Sequence, residues 1–163
     1  MPGIYGDLRN LSQNPGFEQW NAATIVSTSN ATLSDGWTTG IGTGSTYICS
    51  RASTGQDSGT FAITINYTHA IVSDLHQVVG MVNDLKGQTL SFSLKIATAT
   101  ARSCRPFISV DGGTTRTYGN YNSGAGATTY EILKVEGVPV ASTATAIWVG
   151  LELTATAVIF LDS

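Results

Sequence analysis

Thr89-Leu90-Ser91-Phe92-Ser93-Leu94-Lys95-Ile96 alternates apolar and polar residues with a period of two. Successive side chains of an extended chain point to opposite faces. Leu90, Phe92, Leu94 and Ile96 therefore share one face, while Ser91, Ser93 and Lys95 share the other. That is the pattern of a half-buried strand. The same period extends both ways along the chain. Upstream, Phe61-Ala62-Ile63-Thr64-Ile65-Asn66-Tyr67 puts Phe61, Ile63, Ile65 and Tyr67 on one side. Downstream, Cys104 to Val110 runs into Asp111-Gly112-Gly113, a hairpin turn signal, and Thr114 to Tyr121 returns. Asn122 to Gly126 forms a second loop, and Tyr130 to Val138 another strand, interrupted at Gly137 and Pro139. Ala146 to Leu153 and Ala157 to Asp162 close the series. Residues 73–85 are ambiguous; His76-Gln77-Val78-Val79 reads as strand, because Gly80 and Gly87 bracket too little length for a helix. Short strands with turn signals about every 8–12 residues predict an all-β antiparallel sandwich or barrel.

Composition agrees. The chain has 163 residues, enough for one domain with a substantial core. Hydrophobic residues make up 42% and charged residues only 12%, about half the usual charged share. Solvated helices need more Glu, Lys, Arg and Gln than this chain contains. Eight Lys and Arg against eleven Asp and Glu leave a net charge of −3, with no basic run. A phosphate-tracking nucleic-acid surface is therefore not expected. No apolar stretch approaches the roughly 20 residues of a bilayer-spanning helix. The opening Met1-Pro2-Gly3-Ile4-Tyr5-Gly6-Asp7 lacks the basic and apolar regions of a secretory signal. Two locations follow: a virion part made without Sec export, or an extracellular protein whose signal has been removed. Cys49 and Cys104 lie in strand-like segments and read as two buried free thiols, with a single cross-strand disulfide as the competing reading.

Four pieces of sequence, in order, carry a resemblance. They are Asn10-Leu11 with Asn14-Pro15-Gly16-Phe17-Glu18; Asp35-Gly36-Trp37; Leu75-His76-Gln77-Val78-Val79 with Leu85-Lys86-Gly87-Gln88-Thr89-Leu90-Ser91-Phe92-Ser93; and Ile159-Phe160-Leu161-Asp162. The chain from about Leu11 to Ser163 thereby resembles the jelly-roll carbohydrate-binding modules attached to xylanases and glucanases. Similar domains occur in bacteriophage tail and capsid proteins, and Gln19-Trp20 extends the likeness in that direction. The resemblance implies a two-sheet jelly roll over residues 13–163, preceded by an arm over residues 1–12. It places Trp37 in the core. By the family's pattern the chain stops in mid-strand at Ser163: either a longer polypeptide continues it or the last strand is short. The resemblance also implies a structural calcium ion where the first and last strands meet. Glu18 and Asp162 occupy the matching positions, and backbone carbonyls would complete about six to eight oxygen ligands.

Strand alternation nominates a binding face. If Ile108 and Val110 face the core, Arg105, Phe107 and Ser109 project the other way; if Ile147, Val149, Leu151 and Leu153 face the core, Trp148 and Glu152 project outward. Sugar rings carry an apolar C–H face that stacks on aromatic rings, while arginine and carboxylate groups bond the hydroxyls. Phe107 and Trp148, with Arg105 and Glu152, form such a set if their strands share a sheet, and Tyr118 and Tyr121 could extend it. The competing reading is packing, in which a loop or a subunit covers this face. Catalysis has little support. No nucleophile-elbow, P-loop or zinc-protease motif occurs, and His69 and His76 lie at no metal-ligand spacing. The expected function is therefore a non-catalytic module that binds a polysaccharide, a cell-surface glycan or a partner surface, as an adhesion or decoration part of a bacteriophage virion. The alternative is a purely structural decoration protein that assembles with other virion subunits, as a homo-oligomer, without binding sugar.

Overall fold

The computed structural model describes residues 24–27, 32, 36–40, 42–52 and 62–162. The expected arm over residues 1–12, and Glu18, Trp20 and Phe61, lie outside them. Eleven strands form two sheets among the described residues. The first sheet has the order β1 (Thr24–Ser27), β3 (Thr46–Ala52), β4 (Ala62–Thr68), β11 (Ala157–Asp162), β6 (Thr89–Thr98), β9 (Gly126–Pro139). The second runs β2 (Trp37–Gly40), β5 (Ser73–Val79), β10 (Ile147–Leu153), β7 (Cys104–Ser109), β8 (Thr117–Tyr118). All the named strand pairs are antiparallel, and the two sheets pack as a jelly-roll sandwich. Among the described residues no helix is long and apolar enough to cross a membrane.

The two-residue period decides which side chains fill the gap between the sheets. Ile63, Ile65 and Tyr67 from β4, Ile159 and Leu161 from β11, and Leu94 and Ile96 from β6 meet Leu75 of β5 and Leu151 and Leu153 of β10. A second cluster joins Val79, Ile108, Ile147 and Val149 to Val135 and Val138 of β9, with Leu90 and Phe92 partly buried against it. Each fully buried aliphatic side chain contributes roughly 2 kcal/mol. Trp37 belongs to the first cluster, as the resemblance implied. Both cysteines are buried and free, and burial pushes each thiol up to about 12. One expectation fails between Gly80 and Gly87. Val82–Leu85 forms a single helical turn, α1, entered through Met81 in the left-handed region at φ 59°. Four residues suffice there because Val82 and Leu85 lean on the second core cluster.

Candidate functional site

The register of the five-stranded sheet collects the site. Across β10 and β5, Glu152 lies opposite Asp74, Gly150 opposite His76 and Trp148 opposite Val78. Across β10 and β7, Glu152 lies opposite Arg105, Gly150 opposite Phe107 and Trp148 opposite Ser109. Phe107 in turn lies opposite Tyr118 of β8. Opposed residues of antiparallel strands share a face. The intervening residues Leu75, Leu151, Leu153, Cys104 and Ile108 are in the core, so this set occupies the sheet's outer face.

A bonded layer covers that face. Arg105 directs both Nε and Nη2 at Glu152 Oε1, each at 2.7 Å. The Tyr118 hydroxyl donates to Glu152 Oε2 at 2.6 Å. Arg116, from the turn before β8, donates to Asp74 Oδ2 at 2.5 Å and reaches within 3.7 Å of Glu152 Oε2. Asp74 Oδ1 lies 2.6 Å from His76 Nδ1. All four oxygens of the two buried carboxylates are thus engaged. Burial opposes the charge of Arg105, but the hydrogen bond and charge of Glu152 outweigh it and hold the guanidinium above its usual range. Burial first, and then Glu152, push the Tyr118 phenol up, so it remains a donor.

The aromatic rings are each backed by a protein group. The His76 imidazole stacks on the Trp148 indole, with centroids 4.1 Å apart and planes 2° from parallel. Gly113 meets the benzo edge of the same indole: a Cβ there would stand 2.6 Å from Cζ3. The Arg105 guanidinium lies 3.5 Å from the Tyr118 ring centroid and 4.8 Å from that of Tyr121. Arg116 lies 4.3 Å from the Phe107 ring centroid, and Tyr118 meets Phe107 edge-on at 6.4 Å. Trp148, Tyr118, Tyr121 and Arg105 remain half-buried.

The six residues nominated from sequence, Arg105, Phe107, Tyr118, Tyr121, Trp148 and Glu152, are therefore brought together, with two corrections. Phe107 projects from the expected face but is fully buried, roofed by Arg116 and Tyr118, so it forms the floor of the layer rather than a stacking surface. Glu152 is 4% exposed with both oxygens committed, so it orients Arg105 and Tyr118 instead of meeting a sugar hydroxyl. Sequence reasoning missed Asp74, His76 and Arg116. The first two were legible in principle, because Leu75 is a core residue of β5 and Asp74 and His76, one position to either side of it, must face outward. Arg116 falls in the stretch Thr114 to Tyr121 expected as a returning strand and shares the parity of Tyr118, but β8 begins only at Thr117, so Arg116 reaches the sheet face from the turn.

Of the two carboxylates expected to hold calcium, Asp162 is buried at the end of β11 opposite Lys95, and Glu18 lies outside the described residues. Among the described residues no group of three or more His, Cys, Asp and Glu side chains is arranged to hold a metal ion.

No protein-family model matches this chain, and no curated protein does. Solved structures do. TmCBM61 in complex with β-1,4-galactotriose aligns over 94% of this chain and 94% of its own, with a TM-score of 0.60 and 16% identity. The C-terminal family 22 carbohydrate-binding module of Clostridium thermocellum Xyn10B aligns over 91% of this chain and 87% of its own, with a TM-score of 0.55 and 14% identity. The chain has the fold of carbohydrate-binding modules. That jelly roll is also found in the enzymatically active domain of tailspike protein 4 of bacteriophage CBA120, which aligns over 94% of this chain and 20% of its own, with a TM-score of 0.62 and 8% identity.

Proposed function

We propose that this domain is a non-catalytic glycan-binding module whose site is the outer face of the five-stranded sheet. The observation that carries the reading is the bonded layer of arginines, carboxylates and half-exposed aromatic rings on the solvent side of that sheet. Tyr118, Tyr121 and Trp148 offer ring carbon to the C–H face of a sugar, and Arg105 offers donors to its hydroxyls. Glu152 and Asp74 hold those groups in place from below. The same bonding argues against hydrolysis. A glycosidase sets one carboxyl to protonate the leaving oxygen and the other to attack or to activate water. Here Arg105, Tyr118, Arg116 and His76 occupy all four carboxylate oxygens. The ligand class is supported by modules of the same fold, one solved with β-1,4-galactotriose and others described as xylan-binding.

Titration calorimetry against soluble xylan and galactan tests the reading. Trp148→Ala is expected to weaken binding roughly tenfold or more, since aromatic anchors dominate such surfaces. Unchanged affinity alongside a lowered unfolding temperature would assign Trp148 to packing, and failure of the wild type to bind any polysaccharide would refute the module altogether.

The finer reading is a place on a bacteriophage particle. Its supports are the Asn14–Trp20 stretch, which resembles the opening of phage tail and capsid domains, and the shared fold of the tailspike domain. Virion parts pack by symmetric contacts, so the solution mass is expected to be that of a trimer or larger closed oligomer. A monomer at all concentrations would favour a free module.

A further inference from the structure

Cations and rings alternate along one margin of the sheet. Arg102 lies 4.7 Å from the centroid of the Tyr121 ring, and Arg105 lies 4.8 Å from the same centroid and 3.5 Å from that of Tyr118. The carboxylates do not balance this row. Glu152 serves Arg105 through one oxygen, and Asp74 serves Arg116. Arg102 is exposed, and among the described residues no carboxylate contacts it. Two neighbouring acidic groups are engaged elsewhere: Asp111 accepts from the Thr115 amide and the Ser109 hydroxyl, and Glu131 accepts from the Ser123 amide. Arg105 spends Nε and Nη2 on Glu152 and keeps Nη1 without a partner among the described residues. The face thus carries three guanidinium groups and two carboxylates on a chain whose net charge is −3.

Arg102 is held in this position at a conformational cost. Its φ is 54°, in the left-handed region that residues other than Gly, Asn and Asp rarely adopt. Its amide donates to Asn122 O at 3.0 Å, and its carbonyl accepts from the Thr154 hydroxyl at 2.8 Å. Both bonds pin the backbone from which the side chain departs, and the guanidinium rests beside the Tyr121 ring. A pre-positioned guanidinium without a carboxylate suits an anionic group, because its parallel donors match the two oxygens of a carboxylate.

We propose that the row Arg102, Tyr121, Arg105, Tyr118 recognises the carboxylate of an acidic sugar, so that the glycan taken by this face bears uronic acid; this rests on the glycan-binding reading above. The sugar ring lies against Tyr121 and Tyr118, and its carboxylate meets Arg102 and the free Nη1 of Arg105.

The test uses two matched pairs of oligosaccharides, titrated calorimetrically at low ionic strength. They are a glucuronic-acid-substituted xylo-oligosaccharide against xylohexaose, and trigalacturonate against its fully methyl-esterified form. The acid is expected to bind about tenfold more tightly than its neutral partner, and added salt should erode the difference as it screens an exposed charge pair. Arg102→Gly removes the cation and suits the left-handed backbone, so its folding is not in question. It should abolish the preference while leaving affinity for the neutral partner unchanged, and Arg102→Lys should restore part of it. Equal binding of acid and neutral forms would overturn the proposal and leave the module standing. Failure to bind any of the four would overturn the proposal, and the titrations against xylan and galactan decide separately whether the module stands. Competition by inorganic phosphate as effective as that by free glucuronate would overturn the assignment to a carboxylate.

Discussion

Glu152→Gln is expected to lower the unfolding free energy by about 2–4 kcal/mol, more than any other single charge removal on the sheet face. Glu152 is 4% exposed and binds Arg105, Tyr118 and Arg116 at once. Removing its charge leaves two guanidinium groups beside a neutral amide, and uncompensated charge near a sheet interior is costly. The figure is set below the fully buried case because the Arg105 and Arg116 side chains retain 26% and 17% exposure, so water recovers part of the loss. Urea denaturation with an unchanged slope measures it. Glu136→Gln, at an exposed site on β9, is the control and is expected to change stability by less than about 0.5 kcal/mol. If Glu152→Gln falls in the control's range, the Arg105–Glu152 pair behaves as a solvated surface pair and the layer does not hold the site rigid. A second variant separates net charge from lost partners. Replacing Arg105 and Glu152 together by leucine should cost less than Glu152→Gln alone, because no unpaired charge remains between them.

What was legible in the sequence follows from the period of a strand. Leu94 and Ile96, Ile147 to Leu153, and Ile63 to Tyr67 alternate cleanly, and each falls inside as the alternation requires. The same parity turns Arg105, Phe107, Trp148 and Glu152 away from the core, and the pairing of β7 with β10 puts them on one face. Parity gives direction but not cover. Nothing along the strand says that Arg116, from a turn, folds back over Phe107, so an outward-facing residue there is still a buried one. Asp74 and His76 escaped for a related reason: β5 has a buried Gln77 on its inner face, and that polar residue blurs the alternation that would have marked its neighbours. The spacing between Gly80 and Gly87 argues against a helix, yet two apolar contacts are enough to hold the single turn of α1.

The second large effect is expected at Gly150, in the middle of β10, where no turn or positive φ calls for glycine. It lies between His76 and Phe107 on the outer face. A Cβ added there would stand 2.3 Å from the Leu75 carbonyl oxygen and 2.9 Å from both His76 Cα and Phe107 Cε1. Two of these three neighbours are backbone of the adjacent strand, so rotating a side chain cannot relieve the clash; the β5–β10 spacing must change. Gly150→Ala is expected to cost about 3 kcal/mol or more, the range of a core overpacked against an unyielding neighbour. For a domain of this size that corresponds to a fall in Tm of roughly 6–12 °C. Because β5 carries Asp74 and His76 while β10 carries Trp148 and Glu152, the same shift would loosen the His76–Trp148 stack and change the tryptophan emission. Phe107→Leu removes only one of the three contacts, so adding it to Gly150→Ala should recover little of the loss. Gly80→Ala is the matched control: its Cβ would meet nothing within 4 Å, and its φ is not positive. Stiffening the unfolded chain there should leave stability level or raise it by about 0.4–1 kcal/mol. A loss below about 1 kcal/mol at Gly150 would mean that the two strands yield easily. The layer of charged and aromatic groups above them would then owe its arrangement to its own bonds and not to a rigid sheet beneath.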